Sequence, residues 1–148
     1  MNRLLAIFFS AVALSSCAVR NEALPASSGP IEAGLRMQSA DFALAGQREI
    51  KAVYSVRNVG KQPLRLDFPT AQHLELILRS PEQRPLFLWS EDRLFASVPS
   101  VVVINPGERL EYEASVPTRD MVAGASYEVE AMLVGYPKSR SLSELRPR

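Results

Sequence analysis

Cysteine and histidine are nearly absent from this 148-residue sequence, which contains one of each, Cys17 and His73. A single cysteine cannot form an intrachain disulfide, so the hydrophobic core alone must hold the fold together. The same counts exclude a cysteine-rich zinc site and a metal site with several histidine ligands. We therefore expect no metal and no cofactor.

The sequence also lacks an excess of charge of either sign. It contains 17 Lys and Arg residues against 16 Asp and Glu residues. Residues 1–16 include one basic residue, Arg3, and no acidic one, so the rest of the chain is balanced at 16 of each. Because binding to nucleic acid requires a basic excess on one face, we expect no nucleic-acid partner.

No apolar run reaches the length of about 20 residues that a membrane-spanning helix requires. The run from Leu4 to Leu14 has eleven residues, is interrupted by Ser10 and follows the positively charged Arg3. A charged start followed by a short apolar core is typical of a secretory signal peptide. The sequence therefore predicts a signal peptide over residues 1–16.

The segment Leu14-Ser15-Ser16-Cys17 follows this apolar core directly. It resembles the lipobox of bacterial lipoproteins, in which two small residues precede the cysteine that receives a diacylglyceryl group. The alternative is an apolar N-terminal helix with a buried cysteine. The resemblance implies that Cys17 becomes the lipidated first residue of the mature chain, which leaves no cysteine for catalysis.

Lipidation would make the membrane the first partner of this chain. Two or more acyl chains hold a protein stably on a bilayer without crossing it. The residue after the cysteine is Ala18 and not Asp, which by resemblance to the sorting rule of Gram-negative lipoproteins favours the outer membrane. The expected location is the cell envelope, at the outer membrane and facing the periplasm.

The mature chain divides into three parts by composition. Residues 17–30 are rich in small and polar residues and predict a flexible tether with a reach of roughly 20 Å. Residues 31–137 predict one domain of ordinary size. Residues 138–148 predict a frayed basic tail, with electrostatic contact to anionic lipid as the alternative; its basic residues are Lys138, Arg140, Arg146 and Arg148.

Apolar and polar residues alternate through most of the predicted domain, and period two indicates strands with one face on a core. The clear segments are 50–56, 64–68, 74–78, 110–116 and 127–133, and shorter candidates are 35–39, 86–89 and 101–104. In the turn Asn105-Pro106-Gly107-Glu108, Gly107 can supply the positive φ of a type II turn. Seven or eight short strands without a long helix predict an all-β, antiparallel β-sandwich.

Five motifs occur in a fixed order between Ile50 and Leu133. They are Asn58-Val59-Gly60-Lys61-Gln62-Pro63-Leu64, residues 66–75, residues 88–95, Asn105-Pro106-Gly107-Glu108 and Gly124-Ala125-Ser126-Tyr127-Glu128-Val129. Together they resemble the BsuPI family, named for an intracellular proteinase inhibitor of bacilli. The resemblance implies an immunoglobulin-like sandwich and inhibition of a serine proteinase.

We expect no catalytic site. A nucleophile needs a base beside it, and His73 begins a predicted strand with no Ser or Asp motif around it, which favours a histidine at the surface or rim. The acidic pairs Glu111 with Glu113 and Glu128 with Glu130 predict solvated sheet faces opposite basic residues. The alternative, a carboxylate pair for glycoside hydrolysis, also needs a cleft.

Trp89 and Phe95 bracket a polar loop. Both rings either pin the loop to the core or serve as exposed anchors for a partner. Within this loop, Arg93-Leu94 is a hypothetical inhibitory bond. The candidate inhibitory or partner-binding residues are thus Trp89, Arg93, Leu94 and Phe95.

Two functions follow from these observations, and neither is enzymatic. In the first, a lipid-anchored envelope protein uses a proteinase-inhibitor-like β-sandwich to bind protein partners and inhibits a serine proteinase. In the second, an envelope interaction or structural module keeps only the fold and binds another envelope protein.

Overall fold

The computed structural model describes residues 30–148, which form ten strands. In chain order these are β1 (Ile31–Met37), β2 (Asp41–Phe42), β3 (Glu49–Asn58), β4 (Leu64–Phe68), β5 (Leu74–Arg79), β6 (Pro85–Leu88), β7 (Ser100–Ile104), β8 (Arg109–Pro117), β9 (Tyr127–Leu133) and β10 (Tyr136–Pro147). Within this part of the chain no helix is long and apolar enough to cross a membrane. The predicted signal peptide, Cys17 and nearly all of the predicted tether lie outside the described residues.

The strands form two main sheets and a short ribbon. One sheet has the order β1-β3-β8, the other has the order β2-β10-β9-β5-β6, and β4 pairs with β7. Every pairing is antiparallel except the two-residue contact between β2 and β10. The predicted all-β sandwich is confirmed, with ten strands instead of seven or eight because β2 and β10 were not predicted.

Period-two alternation produces the core between the sheets. In β3 every second residue from Ile50 to Val56 is fully buried, and Leu74, Leu76 and Leu78 of β5 are buried in the opposite sheet. The residues between them face outwards, as the pleat of a strand requires. Burial of this apolar surface is the main source of stability in a domain whose described residues contain no cysteine.

A buried hydrogen-bond cluster joins the two sheets. The Tyr54 hydroxyl of β3 donates to the Ser139 carbonyl oxygen of β10 at 2.5 Å. The Ser139 hydroxyl donates to the Tyr136 carbonyl oxygen at 2.7 Å and accepts the Leu133 N–H at 2.9 Å. Burial raises the pKa of Tyr54 to about 12. The cluster is saturated, so these polar groups lie in the core without an unmet hydrogen bond.

The predicted basic tail is wrong, because residues 138–147 belong to β10. The strand pairs with β9 from Ser141 to Leu145, and Leu145 is fully buried. The Pro147 carbonyl oxygen accepts the Gly124 N–H at 2.8 Å. Three of the inward positions hold serine in place of aliphatic residues (Ser139, Ser141 and Ser143). The sequence therefore shows no apolar alternation there.

The turn between β7 and β8 has the predicted geometry. Gly107 has φ +80°, and the Glu108 N–H donates to the Asn105 carbonyl oxygen at 2.9 Å. The buried Asn58 side chain ties this end of the sandwich together, because its amide donates to the carbonyl oxygens of Gln62 and Ile104, both at 2.8 Å.

Candidate functional site

Residues 89–97, here called the Trp89 loop, connect the edge strand β6 with β7. The Trp89 N–H donates to the Leu76 carbonyl oxygen at 2.8 Å, which extends the pairing of β5 and β6 into the loop. The Glu75 carboxylate then accepts the Ser90 N–H at 3.2 Å and the Ser90 hydroxyl. The first two residues of the loop are therefore fixed to β5.

The aromatic residues of the loop pack on each other. The ring centroids of Trp89 and Phe95 lie 5.8 Å apart with an interplanar angle of 39°. Trp89 is half-buried and packs against the core, and Phe95 is also half-buried. Trp89 thus pins the loop to the core, as in the first of the two alternatives, and Phe95 is held by its contact with Trp89.

The Arg93 side chain folds back over the loop. Its guanidinium carbon lies 4.1 Å from the centroid of the Trp89 ring, and its Nε–H donates to the Trp89 carbonyl oxygen at 3.1 Å. The Arg93 N–H donates to the Ser90 carbonyl oxygen at 3.2 Å. A cation over an aromatic face is attracted by the ring quadrupole, so the guanidinium is held against the protein.

Leu94 is the large apolar side chain that the loop presents to solvent. It is 103 % exposed, whereas its neighbours Arg93 and Phe95 are both attached to Trp89. The far side of the loop is held by the Ala71 N–H, which donates to the Ala96 carbonyl oxygen at 3.0 Å. The loop is therefore attached at both ends and carries one large apolar side chain that is fully exposed.

His73 contacts Ser100, the first residue of β7, and is not arranged as a base. Its Nε2 lies 2.8 Å from the Ser100 hydroxyl, which donates its single proton to the Thr70 carbonyl oxygen at 2.9 Å. Nε2 must then be the donor to Ser100. The His73 ring stacks on Phe68 at 4.3 Å, and burial lowers its pKa. This half-buried position is the rim position expected of His73.

A family model described as "BsuPI: Intracellular proteinase inhibitor" matches residues 38–138. The match covers about two thirds of the chain and includes the whole Trp89 loop. The chain belongs to the BsuPI family. The resemblance carried by the five motifs is therefore confirmed.

The solved structures that this chain matches include parts of larger proteins. A β-glucosidase from Erythrobacter marinus is 14% identical over 80% of this BsuPI chain and 15% of its own, with a TM-score of 0.47. A sporulation control protein from Bacillus subtilis is 12% identical over 81% of this chain and 50% of its own, with a TM-score of 0.44. This chain thus spans half or less of each. Among curated proteins no match is found.

The structure brings together the four BsuPI-domain residues that were candidates for partner binding. Trp89 contacts both Arg93 and Phe95, and Leu94, which lies between these two in sequence, is fully exposed. The supporting role of Glu75 was not predicted. Its contact with Ser90 joins β5 to a loop residue 15 positions further along the chain, so no local motif marks it.

One predicted solvated face is partly wrong. Glu111 and Glu113 are exposed as predicted, but Glu130 is 4 % exposed. Its carboxylate bonds Arg79 at 3.2 Å and Arg140 at 2.9 Å, so two guanidinium groups cover it. The opposite-charge partners were expected, whereas the burial was not, because one of the two guanidinium groups, that of Arg140, belongs to β10, which was not predicted.

Glu128 and Glu144 face each other across β9 and β10 beside an open depression of about 460 Å³. Hydrogen bonds from Arg146 and Ser126 lower the pKa of Glu144. Arg146 thus compensates the charge of Glu144, and Glu128 is the other carboxylate that lines the depression.

In residues 30–148 no group of three or more His, Cys, Asp or Glu side chains is arranged to hold a metal.

Proposed function

We propose that this BsuPI-family protein is anchored at the cell envelope by lipid on Cys17 and inhibits a serine proteinase through the Trp89 loop. The observation that carries the proposal is the arrangement of Leu94. This side chain is wholly exposed between two residues that are both attached to Trp89. A side chain presented in this way is accessible to the binding cleft of a proteinase.

Rigidity is the property that separates an inhibitor from a substrate. Ordering a loop on binding costs free energy, and a loop that is already ordered avoids much of that cost. The Trp89 loop is bound to β5 through Glu75 at its start and to Ala71 at its end. Its aromatic stack supports the segment between these points. These contacts support a loop that keeps its shape inside a cleft.

A binding role without catalysis is the second part of the proposal. His73 donates its Nε2 proton to Ser100 and cannot at the same time accept a proton from that hydroxyl. The family is described as an inhibitor family. Both observations support a protein that acts by binding another protein and not by catalysing a reaction.

Anchoring rests on the sequence Leu14-Ser15-Ser16-Cys17 and on Ala18, which follows it. Cys17→Ser should abolish acylation and release the protein from the outer membrane or leave it unprocessed. Fractionation together with intact-mass measurement tests this. A mutant that stays in the outer membrane with the same mass shift as the natural protein would contradict the anchor.

Strand β7 favours a second candidate function, an envelope interaction module that does not inhibit. The Tyr136 hydroxyl binds both backbone groups of Asp67, the N–H at 2.6 Å and the C=O at 3.1 Å. These groups therefore point away from β7, and the pair of Asp67 with Val101 is not hydrogen-bonded. The N–H and C=O of Val101 must then point to the free edge of β7.

The free edge of β7 is apolar. Val101 and Val103 are 47 % and 50 % exposed, and within residues 30–148 neither backbone has a hydrogen-bond partner on that side. Such an edge can pair with an extended segment of another protein. Under this second function, Val103→Lys should abolish cross-linking to an envelope partner, whereas changes in the Trp89 loop should not.

A titration separates the two functions. The full chain, purified in mild detergent, is titrated against a subtilisin-like and a trypsin-like proteinase, beside a variant in which Glu91–Phe95 is replaced by a Gly-Ser segment of equal length. The proposal predicts inhibition at micromolar concentration or better that the replacement abolishes. No inhibition of either proteinase by the folded chain would contradict it and favour the interaction module.

A further inference from the structure

The side chain that enters the specificity pocket of the proteinase determines which proteinases this protein can inhibit. We infer that this side chain is Leu94, so that the target is a serine proteinase with an apolar primary pocket. The inference rests on the proposed function and differs from the sequence prediction, in which Arg93-Leu94 is the inhibitory bond. It also places the bond presented to the enzyme one residue further along, between Leu94 and Phe95.

The attachment of Arg93 is the first argument. Its guanidinium contacts the Trp89 ring, its Nε–H donates to the Trp89 carbonyl oxygen, and its backbone N–H donates to Ser90. To enter an acidic pocket the side chain would have to leave the ring and this carbonyl oxygen, and the stack that supports the loop would open. Arg93 therefore acts as a positioning residue.

The complete exposure of Leu94 is the second argument. Its side chain is 103 % exposed, so it can enter a pocket without losing contacts within the domain. A buried leucine gains the transfer free energy of its whole apolar surface. Since the residues on both sides are already held by Trp89, binding would require little rearrangement of the loop.

Charge gives the third argument. Glu91 and Asp92 precede Arg93 and are both exposed. They make the tip of the loop net acidic, because Arg93 is the one basic residue among residues 89–97. Trypsin-like enzymes select basic side chains with a carboxylate in the pocket, and an acidic loop would be repelled there. An apolar pocket has no such carboxylate, so it would not repel the acidic loop.

The test compares substitutions at Leu94 with a matched substitution nearby. Leu94→Gly should weaken inhibition of a subtilisin-like proteinase by about 10- to 100-fold, the loss expected for one buried leucine side chain. Leu94→Arg should gain inhibition of trypsin while losing it against the subtilisin-like enzyme. Val98→Gly, which alters another exposed apolar residue of the same connection, should change inhibition less than threefold.

The outcomes distinguish this inference from the proposed function. Inhibition by the natural chain that survives Leu94→Gly and is lost in Arg93→Ala would overturn the role of Leu94 and leave the inhibitor function standing. Stronger inhibition of trypsin than of the subtilisin-like enzyme by the natural chain would also overturn it. If the natural chain inhibits neither enzyme, the proposed function fails and the inference fails with it. Circular dichroism of each full-length variant verifies the fold.

Discussion

The guanidinium carbon of Arg93 lies 4.1 Å from the centre of the Trp89 ring, and the same side chain donates to the Trp89 carbonyl oxygen. One residue further on, Leu94 has no such contact and is wholly exposed. Because Arg93 is held against Trp89 and Leu94 is free, the Trp89 loop can present Leu94 to a proteinase as a substrate presents its side chain. The stability of this arrangement depends on the contacts of Glu75 and Ala71, which fix the two ends of the loop.

Arg93→Ala should weaken proteinase inhibition by about 3- to 10-fold, because an exposed cation–π contact contributes about 0.5–1 kcal/mol and its loss also loosens the loop. The free energy of unfolding should change by less than about 1 kcal/mol, since the residue is exposed. Arg84→Ala, which alters an arginine that is exposed in the turn between β5 and β6, serves as the control. Equal inhibition constants for the two variants would contradict the positioning role.

Glu75→Ala should destabilise the start of the Trp89 loop. The carboxylate accepts the Ser90 N–H and hydroxyl, and removing it leaves a half-buried donor without its partner, which costs about 1–3 kcal/mol. We expect faster cleavage within residues 90–97 by a low concentration of a nonspecific proteinase, measured by mass spectrometry. Glu75→Gln keeps an acceptor and should be cleaved more slowly than Glu75→Ala. Identical cleavage rates for Glu75→Ala and the natural chain would be incompatible with this support.

A chain that ends at Pro137 should not fold cooperatively. It lacks most of β10, including the fully buried Leu145, and it leaves the inner edge of β9 without a partner. Losing one buried leucine costs about 2–5 kcal/mol when the rest of the strand remains, and here the strand is lost as well. Thermal unfolding followed by circular dichroism compares this chain with the full one. A β-type spectrum with an unchanged melting temperature would show that β10 is dispensable.

Tyr54 should make the fold sensitive to alkali. Its pKa is about 12 in the folded protein because of burial, against about 10 in an unfolded chain. The folded state therefore holds the proton more tightly, so this contribution is present below pH 10 and is lost as the pH rises towards 12. It amounts to about 2–3 kcal/mol.

Urea unfolding at pH 8, 10 and 11 measures this dependence on pH. Tyr54→Phe cannot ionise and should lose less stability between pH 8 and pH 11 than the natural chain, although it starts lower because it lacks the hydrogen bond to Ser139. If the two proteins lose the same free energy of unfolding between pH 8 and pH 11, groups other than Tyr54 cause the alkaline sensitivity, and the prediction is wrong.

The parts of the fold that sequence predicts are those with regular alternation. Residues 50–56 of β3 and 74–78 of β5 alternate strictly, and their burial follows the pattern residue by residue. Strand β10 was missed because serines occupy three of its inward positions. Hydrogen bonding by Ser139 satisfies one of these polar side chains in the core, and a pattern based on hydrophobicity cannot detect such compensation.

The candidate site was predicted in composition but not in orientation. The sequence indicates that Trp89 and Phe95 bracket a loop, and the structure stacks them. Which of Arg93 and Leu94 packs on Trp89 depends on the backbone path between the rings. Contacts with Glu75 and Ala71, far away in sequence, hold this path at its two ends. Long-range contacts of this kind leave no local signal.

The central claim is that the Trp89 loop occupies the active-site cleft of a serine proteinase. The most direct measurement is the dependence of inhibition on substrate concentration, with the full chain in detergent and a subtilisin-like proteinase. If the loop occupies the cleft, the apparent inhibition constant rises linearly with substrate concentration, and Leu94→Gly weakens inhibition at every concentration. Inhibition that is absent, or that does not change with substrate concentration, would contradict the claim.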